Sequence, residues 1–211
     1  MKVECFTVNP FQENTYLLNE GENAIIVDPG FASASEFHQF QNRLEALKLT
    51  LKAVLLTHAH IDHIYGLHRV LDHYDVPVYL SNNDLYLWEN FYSQASLYGV
   101  PARPFDFTPN DYPQNGVFNE FGFRLLVLHT PGHSPDHVSL YAEQDGFVIA
   151  GDVLFNGSIG RTDLYKGDFN LLSESIKKNL YVLPDSTRVL PGHGPETTIG
   201  YEKKNNPFVR E

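Results

Sequence analysis

The chain has little of what several protein classes require. One cysteine, Cys5, stands in 211 residues, which excludes an internal disulfide framework and any paired-cysteine redox motif. Its place in the first strand-like segment predicts a small buried apolar residue rather than a nucleophile. The longest apolar runs, such as "AVLLT" and "GFVIAG", fall far short of the roughly 18 residues a membrane span needs. The polar, mixed sequence after Met1 has no signal-peptide core, so no membrane partner and a cytoplasmic location are expected. Cations are scarce as well: 15 Lys and Arg against 26 Asp and Glu give a formal net charge of −11, with no basic cluster. A surface that tracks phosphates needs several cations together, so nucleic acid is not an expected partner. Repeats, low-complexity tracts and linkers are also missing, and 42% apolar content at this length predicts one domain over 1–211, of unstated oligomeric state.

What is there alternates strand and helix. "KVECFTV", "NTYLLN" and "NAIIVDPG" have the pattern of short strands, and "SEFHQFQNRLEALKL" has the apolar spacing of a helix begun by Ser35. "KAVLLTH" then predicts a strand, "IYGLHRVLDHY" a helix and "VPVYLS" a strand, before an irregular stretch from Asn82 to Gln114. Within it, the aromatic run from Tyr86 to Phe107, with Trp88, is expected to fill a secondary core, with a lid over the pocket or a dimer contact as the alternatives. "FRLLVLHTP", "HVSLYAE" and "GFVIAGD" follow as strands, then a Gly-rich loop, the helix "NLLSESIKKNLYVL", the strand "TRVLPGH" and a polar tail. The order is that of an α/β fold.

Ten histidines are distributed unevenly along this frame. "VLLTHAHIDHIYG" places His58, His60, Asp62 and His63 directly behind an apolar strand, and other strands end near His133, at Asp152 and at His193. Strands of a buried sheet emerge at a common edge, where residues distant in sequence converge. In an extended segment His58 and His60 project to the same side and can reach one ion, whereas Asp62 and His63, at the start of a helix, are displaced and suit a second. So many costly polar groups at strand ends point to metal. His38, His68 and His73, on helix-like segments, are expected on solvated faces.

"THAHIDH", "TPGHSPDH", "AGD" and "PGHGP", in that order, resemble the metallo-β-lactamase superfamily over nearly the whole chain. The resemblance implies a four-layer αββα sandwich with two divalent metal ions at the sheet edge. It assigns His58, His60 and His133 to the first ion, Asp62, His63 and His193 to the second, and Asp152 to both. Asp28 in "IVDPG" matches an aspartate that supports the site from outside. His137, four residues beyond His133, is a candidate for hydrogen-bonding to a ligand. Zinc is the first expectation, with iron or manganese also compatible with imidazole and carboxylate ligands.

The short loops "VNPFQENTYLL", "TPGHSPDHVSLY" and "PGHGPETTIGYEKKNNPF" are most similar to glyoxalase II-like thioesterases, the hydroxyacylglutathione hydrolases. That similarity implies hydrolysis of a small-molecule thioester such as S-lactoylglutathione. A metal pair can turn water into the attacking hydroxide and polarise the carbonyl, with Asp152 and Asp62 as catalytic carboxylates. A thiolate is a good leaving group, so no dedicated general acid is required. Larger members carry a C-terminal helical domain that grips glutathione; only a short stretch follows His193 here. Arg161 and Lys166, in the loop after Asp152, are the nearest candidate contacts for an anionic carrier, with an Arg161–Asp163 salt bridge as the alternative. "SIGRTDLYKGD" resembles instead the loop of iron-dependent persulfide dioxygenases, and lactone hydrolysis on the same scaffold is a further alternative.

Overall fold

A computed structural model describes residues 1–114 and 116–210, which form two compact units. Met1–Asp111 and Glu120–Phe123 build the first; the described residues between Tyr112 and Asn119, and those from Arg124 onward, build the second.

In the first unit β1 (Lys2–Val8), β2 (Glu13–Glu20), β3 (Asn23–Val27), β4 (Thr50–Leu55) and β5 (Val78–Tyr79) form a sheet in that order. The first two pairings are antiparallel and the last two parallel. A parallel neighbour needs a crossover, and α1 (Ala34–Leu47) supplies the one between β3 and β4. Phe37, Phe40 and Leu44, three and four residues apart, line its buried face, where Phe40 meets Phe31 and Phe6 at ring separations of 5.5 and 6.1 Å. Ser33 rather than Ser35 caps this helix, because Ser33 and Glu36 form a reciprocal capping box. Cys5 is exposed and not buried as expected: β1 is an edge strand whose residues alternate between covered and open faces.

Glu36 does more than cap. Its carboxylate accepts from the backbone amides of Asn9 (2.9 Å), Ala32 (2.8 Å) and Ser33 (2.8 Å), tying the loop after β1 to the start of α1. Burial pushes this carboxyl up, but the amide donors outweigh burial and hold it below the usual glutamate range. A depressed folded-state value means stability that is fully present above the unfolded value and lost as pH falls through the folded one. Glu36→Gln is therefore expected to cost about 1 kcal/mol at neutral pH. The gap from the parent should shrink as pH falls below the ordinary glutamate value of about 4.3 and close once pH passes the depressed folded-state value. Urea-unfolding midpoints measured across pH check both parts.

The segment read as one helix after His63 is two, α2 (Ile61–Ile64) and α3 (Leu67–Leu71). Gly66 separates them and donates its N–H to the Pro29 carbonyl at 2.8 Å; a Cβ there would meet the Phe31 nitrogen at 2.6 Å. The expected irregular stretch contains two short helices, α4 (Tyr86–Glu89) and α5 (Phe91–Leu97). Its aromatic residues pack as a second core: Phe105 stacks on Trp88 at 4.3 Å and on His68 at 4.2 Å, and Phe91 is buried beside it. His68 is thus half-buried rather than solvated, and burial lowers its pKa, whereas His38 and His73 are exposed.

The second unit contains β6 (Val117–Glu120), β7 (Phe123–His129), β8 (Val138–Ala142), β9 (Phe147–Gly151), a small β10 (Leu154–Phe155) and β11 (Ser158–Ile159) hairpin, α6 (Phe169–Ser175), a π-helical turn (Ile176–Leu180), β12 (Arg188–Pro191), β13 (Thr197–Thr198) and α7 (Ile199–Asn205). Its main sheet runs β13-β12-β9-β8-β7-β6, with β9 and β12 parallel. Apolar side chains of β8, β9 and β12 pack with Leu172, Ile176 and Leu180 from the helical segment. The polar tail is in part the helix α7. Thr198 caps it, and its buried Glu202 accepts from Thr197 Oγ1 (2.6 Å), the Gly157 amide (3.1 Å) and Asn206 Nδ2 (2.9 Å). Among the described residues, no helix is long and apolar enough to cross a membrane.

Candidate metal centre

The first unit brings together His58, His60, Asp62, His63 and Asp28. β4 ends at Leu55, and the next five residues lead into α2, with Leu56 still donating its N–H to the Tyr79 carbonyl at 2.9 Å. Gln94 of α5 holds that segment, donating Nε2–H to the Ala59 carbonyl (3.0 Å) and accepting from the Ile61 amide (3.2 Å). Asn9 donates to the carbonyls of Gly30 (3.0 Å) and Asp62 (2.9 Å). The His58 ring lies 4.8 Å from that of His60 and 4.2 Å from that of His63, centroid to centroid.

Asp28, at the end of β3, organises the back of this cluster. Its Oδ1 accepts from the Thr57 amide (2.7 Å), and its Oδ2 accepts from Thr57 Oγ1 (2.6 Å) and faces His63 Nδ1 at 3.1 Å. The Thr57 hydroxyl proton is thereby committed to Asp28, so Thr57 Oγ1 is an acceptor toward His58 Nδ1, 3.0 Å away. Both imidazoles consequently carry their proton on Nδ1 and present the Nε2 lone pair, the form a metal ligand takes. Asp28, His58 and His63 also lie close enough to hold an ion by themselves. The Thr57 and His63 hydrogen bonds, however, already engage both Asp28 carboxylate oxygens. Behind His63 the fully buried Glu13 places Oε1 3.8 Å from Nδ1 and Oε2 2.9 Å from Thr15 Oγ1. Burial pushes the Glu13 carboxyl well up, against an opposing pull from His63.

The second unit holds His133, His137, Asp152 and His193. His133 Nδ1 lies 2.7 Å from the Arg161 carbonyl. A carbonyl only accepts, so the proton is on Nδ1 and Nε2 again carries the lone pair. His137, buried, has the opposite arrangement: its Nε2 accepts from the Asp152 amide at 3.0 Å, and its Nδ1 is 3.0 Å from Thr130 Oγ1. It is therefore unsuited to ligation through Nε2 and instead fixes the backbone of Asp152. Asp152 follows β9, and its Oδ2 stands 3.6 Å from His133 Nε2 and 3.6 Å from His193 Nε2. A carboxylate oxygen facing the His133 lone pair is repulsive unless a cation sits with them. The donor set, imidazoles locked as Nε2 donors with carboxylates at their side, fits metal ions on chemical grounds.

Arg161 makes the alternative contact foreseen for it, a two-pronged pair with Asp163 at 2.7 and 2.8 Å. The guanidinium hydrogen bonds hold the Asp163 carboxyl down to about 2. Lys166 is exposed, in a left-handed backbone conformation, with its ammonium 5.3 Å from the Tyr165 ring centroid. Sequence reading passed over Glu13, Thr57, Gln94 and Thr130. Of these only Thr57 had a local signal, its place immediately before the first histidine.

The Metallo-beta-lactamase superfamily profile matches residues 8–193. The chain is 42% identical over 217 residues to the probable metallo-hydrolase YqgX of Bacillus subtilis, covering 99% of this chain and 98% of that one. It is 38% identical over 212 residues to the hydroxyacylglutathione hydrolase GloC of Haemophilus influenzae, with the same coverage. A crystal structure of TTHA1623 in a di-iron-bound form superposes with a TM-score of 0.86 at 39% identity, over 98% of this chain and all of that one. The mixed sheets packed against helices are the metallo-β-lactamase fold, and the histidine and aspartate clusters fit a dinuclear metal site within it. From sequence, fold and ligand set together, the chain belongs to the Metallo-beta-lactamase superfamily.

Proposed function

We propose that this protein is a dinuclear metal hydrolase that cleaves a small thioester, S-lactoylglutathione or a similar hydroxyacyl thioester. His58, His60 and His133 hold one ion, Asp62, His63 and His193 the other, and Asp152 both. The observation that carries the reading is Asp152, whose one carboxylate oxygen stands equally far, 3.6 Å, from two histidine Nε2 atoms. The name of the Haemophilus influenzae relative supports the substrate class, and the di-iron form of TTHA1623 supports two ions. Zinc is proposed as the native metal, with iron or manganese able to replace it.

When bound, divalent ions supply acidification of water and polarisation of a carbonyl. The chain's own residues do the positioning. Asp28 and Thr57 aim His58 and His63, the Arg161 carbonyl aims His133, and His137 holds Asp152 through its amide. Asp152 and Asp62 orient the attacking water. The departing thiolate, with a conjugate-acid pKa of about 8.5, leaves without a protein proton donor. The exposed Arg161–Asp163 pair contributes little by itself, so Arg161 can exchange Asp163 for a carrier carboxylate, with Lys166 nearby in sequence.

Elemental analysis and a paired activity assay test this reading. Two ions per chain are expected at zinc saturation, with thiol release from S-lactoylglutathione that a chelator abolishes. Oxygen uptake with glutathione persulfide on iron-loaded protein, without thiol release on the zinc-loaded control, would make it a dioxygenase instead.

A further inference from the structure

We infer that a cleft in the first unit, beside Asp62, is the acyl side-chain subsite, and that it selects 2-hydroxyacyl thioesters whose substituent is apolar and larger than methyl. The inference rests on the thioesterase reading and refines it. The cleft has a volume of about 220 Å³ and is walled by Phe11, Ile61, Tyr65, Tyr98 and Val100, with Ala32 and Asp62 on its lining. By comparison, an apolar cavity of about 150 Å³ holds a benzene ring.

Its polar groups are already committed. The Asn9 amide, on the rim, donates to Gly30 and Asp62 carbonyls, and the Tyr65 hydroxyl donates to the Pro101 carbonyl at 3.2 Å. Phe11 and Tyr98, both exposed at the mouth, meet edge to face at 5.1 Å and form an aromatic wall. None of the described lining residues is a lysine, arginine or histidine. An anionic carrier such as glutathione would find no counter-charge there and would lie beside the acidic residue Asp62. The occupant that fits is the uncharged substituent on the acyl α-carbon, which Asp62 places next to the proposed ligands.

In the hydrolysis the acyl C–S bond breaks and a C–O bond to water forms. One proton of that water is released, and the thiolate leaves to be protonated by solvent. The acyl substituent is a spectator whose burial lowers the barrier through binding. Each buried methylene is expected to raise kcat/KM about fourfold until the cleft is filled.

The test compares glutathione thioesters of lactate, 2-hydroxybutyrate, 2-hydroxyisocaproate and mandelate on the zinc-loaded protein. The mandeloyl-to-lactoyl ratio of kcat/KM is expected to exceed about tenfold. It should collapse toward unity in Ala32→Leu, and in Val100→Trp should the first variant fold poorly. Neutral mandelamide is read separately, by shifts of the Ile61 and Val100 methyl resonances. Mandelamide binding without turnover of any thioester would support the cleft and overturn the thioesterase reading. Turnover with a flat ratio and no mandelamide shifts would overturn the cleft and leave the hydrolase reading standing.

Discussion

Asp152→Ala is expected to abolish thioester turnover and to lower metal retention by more than about a hundredfold, while the chain still folds. The reason lies in what the side chain does and does not touch. Its Oδ2 is equidistant from His133 and His193, so in the proposed site one carboxylate offsets the charge of two ions. Its backbone, by contrast, stays anchored whatever the side chain: the Asp152 amide donates to His137, which does not depend on the carboxylate. Loss of the carboxylate should therefore remove ligand charge while leaving the backbone hydrogen bond to His137 in place. Metal content by elemental analysis and the far-ultraviolet circular dichroism melt report the two parts independently. An Asp152→Ala protein that kept both ions and normal turnover would make this residue an ordinary strand-end aspartate.

The second large effect comes from a residue with no side chain. Gly160→Ala is expected to lose metal and to melt roughly 5–10 °C lower, because overpacking a rigid site costs about 2–3 kcal/mol. A Cβ at Gly160 would lie 1.9 Å from the Asp152 carbonyl oxygen and 3.2 Å from His133 Nδ1. The first neighbour is backbone and has no rotamer to escape into, so the strand end carrying Asp152 must shift. The second is the nitrogen that the Arg161 carbonyl holds in place. One methyl group thus disturbs two proposed ligands from behind. Wild-type metal content and melting temperature in Gly160→Ala would show that the loop relaxes freely and that the close packing has no role in aiming the ligands.

The aromatic segment around Trp88 shows how a sequence pattern can be right in kind and incomplete in use. Its packing as a second core is what composition favours over a lid or a dimer contact, since rings that large are costly to leave in water. That Gln94 on one of its helices grips the backbone on either side of His60 does not follow, because a glutamine on a short helix has the same local sequence wherever it points. The same holds for Gly66, whose approach to Pro29 splits what periodicity alone reads as one helix.

By itself the sequence determined the α/β order and the inventory of candidate ligands. Both are written in short-range patterns: apolar runs of strand length, each ending in a histidine or aspartate, and a His-x-His-x-Asp-His string that few other chemistries need. Tertiary structure decided which ring nitrogen of His58, His63, His133 and His137 is engaged and which aspartate lies hydrogen-bonded behind them. Those assignments depend on hydrogen bonds between residues far apart in the chain, such as Asp28 with Thr57 and His63, or His133 with the Arg161 carbonyl. It also decided that Cys5 faces outward and that the tail closes as a helix over a buried Glu202, since burial is a property of neighbours and not of a residue's own type.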